Sequence, residues 1–348
     1  MQFDRHVQVS TIHNPMLGGK LDTQQIEIRR DPLTGHQSAF NARLEDKVAM
    51  FYGATDAALV EKLAAESEPK CFLCAERWKT STPTYPEELV PGGRIQVGEA
   101  VLFPNLFPVA QVHAVIRVGG RHLLPLSQFG SALVKDAFAA AMQFVRRLHQ
   151  AEPTARWATL NANYLHPAGA SIAHPHFQVV GGNLPCTWLE RAVEKSLAWA
   201  REKRSCYWTD LVDAERQSGE RFIGATGPAQ WLTTFSPEGA NEVLAVLPQR
   251  SSFLELDDAD LAGLADGLSR VLAGYQAMGI STFNFALYSG ELGGKGDAFR
   301  CCLRLVSRQN VYANYRADDY FLQKLLGNEL ILTRPEGLAT HLRKHLGA

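Results

Sequence analysis

This chain lacks a disulfide framework, a membrane span and any long run of one charge. Six cysteines in 348 residues are too few for a disulfide scaffold. No stretch of about 18 apolar residues marks a membrane span. The opening Met1-Gln2-Phe3-Asp4-Arg5 carries no long apolar run of the secretory kind, so the expected location is the cytoplasm. Lys and Arg number 35 against 36 Asp and Glu, and no basic tract stands out, which argues against a long nucleic-acid track as partner. A small anionic ligand needs only a local cluster of donors and fits this composition. The 46% of hydrophobic residues suits a globular chain with one large or two medium cores.

Against that background two short motifs stand out. Cys71 and Cys74 are spaced i, i+3, which lets two thiolates share one metal in a tight turn; the same spacing also serves redox dithiols. A zinc site needs two further ligands. His122 follows an apolar strand segment and His174 precedes one, so both are candidates, with His113 near enough in sequence to compete for the third place. A closed Cys2His2 set would hold strands together and leave no position for activating water. Cys186, Cys206, Cys301 and Cys302 are expected to be buried small residues.

The second motif is His174-Pro175-His176-Phe177-Gln178. In an extended segment His174, His176 and Gln178 point to one side. Pro175 cannot donate a ladder hydrogen bond and belongs at a strand's beginning, giving a stiff link from a possible ligand to a possible nucleophile. Neutral imidazole attacks phosphorus competently when its other nitrogen is fixed by a hydrogen bond. Gln178 offers an amide donor to a phosphoryl oxygen. Asn163, Gly169 and Ser171, just upstream, supply neutral side-chain donors and a glycine-containing loop able to cradle phosphate. His166 is a weaker candidate for an acid near the leaving group.

One pattern occurs twice. Strand segments at 101–104 and 113–118 lead to a helix over about Ser131–Gln150, with Phe138, Met142 and Val145 on one stripe, then to strands at Trp157–Tyr164 and His176–Val180. Segments at 230–232 and 243–247 lead to a helix over Asp257–Met278, a strand at Thr282–Tyr288, the Gly290–Gly296 loop and a strand at Phe299–Val306. The helices follow from apolar periodicity. The expected fold class is α+β, with mainly antiparallel sheets and flanking helices. Only the first copy carries imidazoles, so the second is expected to serve as scaffold or ligand wall.

These motifs resemble the galactose-1-phosphate uridylyltransferase family, a branch of the histidine-triad superfamily that also includes dinucleoside polyphosphate phosphorylases and ADP-glucose phosphorylase. The matching pieces, in family order, are Arg29-Arg30-Asp31-Pro32-Leu33-Thr34-Gly35, Cys71-x-x-Cys74, Asn105-Leu106-Phe107-Pro108-Val109, the turn at His122, Asn163, Ser171 and His174-Pro175-His176-x-Gln178. Gly327-Asn328-Glu329 and the run from Leu332 to Ala339 resemble the family's closing strand and helix. The resemblance implies a duplicated histidine-triad-like unit, with residues 1–190 as the catalytic half and 191–348 as a half lacking the histidine motif. It implies a homodimer, His176 as the residue carrying a covalent nucleotidyl group, Gln178 as phosphate ligand, and Asn105, Asn163 and Ser171 as nucleotide contacts. It assigns Cys71, Cys74, His122 and His174 to structural zinc.

Three stretches depart from the family pattern. Phe177 stands where a small residue is usual, Arg300-Cys301-Cys302-Leu303-Arg304 replaces a second His-x-His pair, and Ser38 to Arg43 replaces a Ser-Pro-His-Arg stretch. The expected activity is transfer of a nucleoside monophosphate, UMP favoured, from a nucleotide sugar to a sugar 1-phosphate. A phosphorylase acting on a dinucleoside polyphosphate or nucleotide sugar with inorganic phosphate, and a non-enzymatic zinc-stabilised binding module, are the alternatives. Lys295, Arg300 and Arg304 are candidate contacts for an anionic acceptor.

Overall fold

The structure, a computed structural model, describes residues 1–294, 296 and 298–347. The first strands are β1 (Asp4–Asn14), β2 (Lys20–Arg30) and β3 (Gln37–Asn41), followed by β4 (Ile95–Val97), β5 (Ala100–Pro104), β6 (Val112–Arg117), β7 (Trp157–Tyr164) and β8 (His176–Gly182). The later ones are β9 (Phe222–Thr226), β10 (Ala229–Thr233), β11 (Val243–Val246), β12 (Phe283–Tyr288), β13 (Cys302–Ser307) and β14 (Asn328–Leu330). The helices are α1 (Val48–Tyr52), α2 (Ala57–Ser67), α3 (Trp78–Ser81), α4 (Ser131–Ala151), α5 (Thr187–Lys203), α6 (Tyr207–Ser218), α7 (Asp258–Ala277) and α8 (Pro335–Leu346).

Ten strands form one antiparallel sheet in the order β4-β5-β6-β8-β7-β12-β13-β11-β10-β9. The order reads the same from either edge once β4–β8 are matched to β9–β13, so the duplicated strand-strand-helix-strand-strand pattern builds two mirrored five-strand sets. They join where β7 pairs with β12, Asn163 opposite Asn284 and Leu160 opposite Leu287. The α+β class and the duplication expected from the sequence are both present. A second sheet, β1-β2-β3-β14, is antiparallel except for the parallel β3–β14 pair.

Strand alternation divides the large sheet's residues between two faces. Leu160, Ala162, Phe177, Val179, Phe285, Leu287, Leu303 and Leu305 turn to one face, where α4, α7 and α8 cover them to make the main core. Asp257 caps α7 in a reciprocal capping box with Asp260, which accounts for its sharp start. On the opposite face, among the described residues, apolar clusters lie at the two ends. At one end Leu73 and Trp78 pack on Val101 and Phe103; at the other, α5 and α6 cover Leu232, Leu244 and Val246. Between those covers the strands present polar residues.

Two expectations about cysteines are corrected here. Cys301 and Cys302 are buried, but Cys186 is exposed and Cys206 half-buried. Cys186 is the residue just before α5 and Cys206 the one just before α6, positions at helix entrances that the sheet does not cover.

Candidate active site and metal centre

Cys71 and Cys74 lie in a turn that extends α2, with Cys71 N donating to Glu68 O at 3.1 Å and Cys74 N to Cys71 O at 3.3 Å. Leu73, fully buried, anchors the turn on the sheet. The turn brings one ligand atom each from Cys71, Cys74, His122 and His174 within 4.8 Å of one another. Nδ1 of His122 and Nδ1 of His174 each stand 3.3 Å from Cys74 Sγ.

The outer ring nitrogens are already engaged. His174 Nε2 faces Gly119 O at 2.8 Å and His122 Nε2 faces Ser67 Oγ at 2.9 Å. A carbonyl only accepts, so His174 carries its proton on Nε2 and turns an Nδ1 lone pair into the cluster, the arrangement in which outer partners orient metal-bound histidines. Burial holds His174 down at about 4, so the ring is neutral. Burial and the neighbouring Cys71 push the Cys74 thiol up to about 11; a cation among the sulfurs is what would allow both to ionise. Two sulfurs and two imidazole nitrogens within 4.8 Å of one another are a donor set that fits zinc. His113 is not part of this cluster.

From the cluster the chain passes through Pro175 directly into β8. The register of β6, β8, β7 and β12 sets rows of side chains across the uncovered face. Arg117 is opposite His176, Val115 opposite Gln178, and Gln178 opposite Asn161. Extending the β7–β8 register by one residue brings Asn163 level with His176, and Asn163 is opposite Asn284. Phe177, between the two polar residues, points the other way into the core, its ring 4.9 Å from Phe285 and 6.1 Å from Phe138. Its bulk therefore does not reach the site face, despite replacing a small residue in the motif.

The His176 Nδ1–H donates to His174 O at 2.9 Å, which leaves Nε2 as the unprotonated nitrogen. His176 is 8% exposed, and burial lowers its pKa. Arg117 donates from Nε to Leu73 O at 2.7 Å, in the turn that covers this end of the face, so the strand beside His176 is tied to the cysteine turn.

Gln178 has a partner that sequence reasoning left unassigned. Val109 N donates to His113 Nδ1 at 3.3 Å. A backbone N–H can only donate, so the proton of His113 sits on Nε2, 2.8 Å from Gln178 Oε1. That bond occupies the amide oxygen and leaves the Gln178 NH2 as the outward donor. Asn105 Oδ1 accepts from Phe107 N at 2.9 Å, so its Nδ2 is a donor; it stands 3.1 Å from the same His113 nitrogen and, with the proton there, makes no hydrogen bond to it. Beyond Asn105 the loop exposes Leu106, Phe107 and Val109. The structure thus brings His176, Gln178, Asn105 and Asn163 to one face. Ser171 is exposed in the loop after the short 166–168 turn, and His166 is exposed as well. The signal that could have found His113 is parity: two residues before Val115 and four before Arg117, it shares their face.

The expected acceptor contacts fare differently. Arg304, a candidate contact for an anionic acceptor, is 13% exposed and ion-paired to Glu238 at 2.9 Å and to Glu242, with its guanidinium 4.7 Å above Trp188. Its charge is spent inside the second half's covered end. Arg300 donates to Pro248 O and to Phe299 O. Lys295 lies outside the described residues. Ser38 is buried against Ser236, and Phe40 lies under the Arg29 guanidinium, so the altered 38–43 stretch serves the small sheet of this chain.

No protein-family model matches the chain. An uncharacterised protein of Archaeoglobus fulgidus is 30% identical over 345 residues, spanning 99% of this chain and 98% of its own. An ADP-glucose phosphorylase of Arabidopsis thaliana, solved with bound ADP-glucose, superposes with a TM-score of 0.70 at 16% identity, covering 92% of this chain and 99% of that one. A GalT-like protein of Arabidopsis thaliana gives 0.69 at 15% identity, covering 91% and 98%. A uridylyltransferase structure gives 0.64 at 17% identity, covering 92% and 98%. The chain belongs to one family with the archaeal protein, and it shares its fold with the ADP-glucose phosphorylase, the GalT-like protein and the uridylyltransferase.

Proposed function

We propose that the protein is a nucleotidyltransferase that moves a nucleoside monophosphate, UMP foremost, from a nucleotide sugar to a sugar 1-phosphate through a covalent bond to His176 Nε2. The observation that carries this reading is the His176 Nδ1–H bond to His174 O at 2.9 Å, which reserves the other nitrogen as a nucleophile on a face lined with neutral donors. In the first half-reaction Nε2 attacks the α-phosphorus, an N–P bond forms, and the P–O bond to the departing sugar phosphate breaks. In the second, a phosphate oxygen of the acceptor attacks the same phosphorus and the N–P bond breaks. Gln178, with its oxygen held by His113, turns its amide donors to the phosphoryl oxygens. Asn163 and Ser171 add donors as equatorial charge grows. Asn105 and the exposed 106–109 loop contact the nucleoside.

Cys71, Cys74, His122 and His174 would hold zinc. Its contribution is a cross-link that fixes His174 and, through Pro175, the strand carrying His176. The second half acts as scaffold, with the boundary near residue 190. Among the described residues no helix is long and apolar enough to cross a membrane, which is compatible with the cytoplasmic reading. The β1–β2 ribbon exposes Val7, Val9, Ile12 and Leu21, which supports a homodimer.

Incubation with labelled nucleotide sugars, one at a time, should leave acid-labile label on the protein. His176→Ala should fold, keep its metal and take no label, and His176→Gly should regain transfer when imidazole is supplied. Full turnover by His176→Ala would overturn the mechanism. Phosphorolysis is the second reading, supported by the fold shared with ADP-glucose phosphorylase. Discharge of the label by inorganic phosphate rather than by a sugar 1-phosphate would select it.

A further inference from the structure

We propose that Asn284, oriented by Arg308 of the second half, is a positioning residue that fixes which end of the Asn163 amide faces the phosphoryl group. The proposal rests on the reading of Asn163 as a phosphate ligand.

An asparagine amide has an accepting end and a donating end of nearly the same shape, so its orientation follows from its partners. Arginine supplies only donors. Arg308 is clamped by Asp318 through Nε at 2.7 Å and Nη2 at 2.6 Å, and its Nη1 stands 2.6 Å from Asn284 Oδ1. That atom of Asn284 must therefore be the oxygen. The other end agrees independently. Asn284 Nδ2 meets Ala168 O at 2.9 Å and Ala162 O at 3.3 Å, two carbonyls that can only accept.

The same Nδ2 lies 2.7 Å from Asn163 Oδ1. Asn163 must accept there, and its own Nδ2 becomes the outward donor. It lies beside Gly169, 3.9 Å from where a Cβ on that residue would stand. Gly169 adopts φ +88, a left-handed conformation suited to glycine, in the loop that leads to Ser171. The polarity thus runs one way: guanidinium N–H to Asn284 oxygen, Asn284 N–H to Asn163 oxygen, Asn163 N–H to the loop that would cradle phosphate. Asn284 also holds that loop through Ala168 O. Every anchor of the relay beyond Asn163 and the 162–168 carbonyls comes from β12 or the segment after β13, so the half without the histidine motif would set a donor in the half that has it.

The test is a single-turnover labelling rate with the nucleotide sugar that labels the wild type, combined in a double-mutant cycle. Asn284→Asp keeps shape and keeps Arg308 paired but removes the donor, so Asn163 turns its NH2 inward and presents an oxygen to phosphate. The expected result is a fall of about 100-fold in labelling rate, the scale for losing one preorganised donor, with nucleotide binding affected far less than the rate and metal content unchanged. Asn284→Ala, which adds no charge, should lower the rate in the same direction and stands in if the aspartate variant fails to fold. In an Asn163→Ala background either change should lower the rate far less than in the wild type, by no more than the Ala168 contact contributes. Wild-type rates in both Asn284 variants, with Asn163→Ala impaired, would overturn the relay and leave the phosphate role of Asn163 standing. Fully additive losses would also overturn it. An unimpaired Asn163→Ala would sink the underlying reading together with the relay.

Discussion

Glu336, in the first turn of α8, joins the small sheet to the second half of the large one. Its Oε1 accepts from Arg29 Nη1 at 2.8 Å and from Arg221 Nη1 at 3.0 Å, and its Oε2 from Arg29 Nη2 at 3.3 Å. Both arginines are 1% exposed. Burial alone would raise this carboxyl, but Arg29 and Arg221 outweigh it and hold the group at about 2, against an ordinary value of 4.5. At 1.36 kcal/mol per pKa unit the difference amounts to about 3 kcal/mol at neutral pH, nearer 2 after allowing for solvent screening. Because the folded value lies below the unfolded one, the contribution is complete above about pH 4.5 and is lost as pH falls through about 2. Glu336→Gln should therefore cost about 2–3 kcal/mol in urea unfolding at pH 7, and less than half of that at pH 3. The loss stays below that of an orphaned buried charge because Arg29 keeps Glu27 and Arg221 keeps Glu215. A destabilisation that is the same at pH 7 and pH 3, or none at pH 7, would refute this reasoning.

Cys74→Ser should abolish metal binding and lower the melting temperature before it lowers labelling, with a loss of about 4 kcal/mol where free zinc exceeds Kd a thousandfold; an equally stable, fully active and metal-free variant would remove the structural-zinc reading. His113→Leu should cut the labelling rate about 10-fold to 100-fold with metal content unchanged, since it frees the Gln178 amide to turn; a wild-type rate would show that His113 does not orient it. Burial, with Asp318 and Asp319 nearby, pushes Glu329 up to about 7. Its raised value means that stability declines as pH rises from about 4.5 through 7, so Glu329→Gln should melt higher than wild type at pH 8 and show no gain at pH 4. A gain that is equal at both pH values would contradict the assignment.

Much of the site was legible in the sequence because its key residues are close in the chain. The i, i+2 spacing of His174, His176 and Gln178 fixes their common face once the segment is extended, and β8 begins at His176 as Pro175 requires. The long helices were legible too, since α4 and α7 carry wide apolar stripes and α7 carries its own cap. What stayed hidden depends on register. Nothing local to His113 says that it meets Gln178 sixty-five residues away, nor that Arg304 turns into a buried acidic pair. The β1–β2 ribbon and the helices α5 and α6 were also unanticipated. The ribbon's outer strand is exposed along its length, so no inward-facing apolar alternation announces it.

The pairing of β7 with β12 has a mechanical consequence. One continuous ladder runs through both repeats, and helices α4 and α7, one from each repeat, share a single oily interior. The described residues of the two copies share one sheet and one core, so melting either copy would strip the other of its neighbouring strand and of part of its cover. A chain of two matching five-strand sets is thus expected to come apart in one cooperative step, and a truncation of the second set that spares His174 and His176 would still forfeit the folded state.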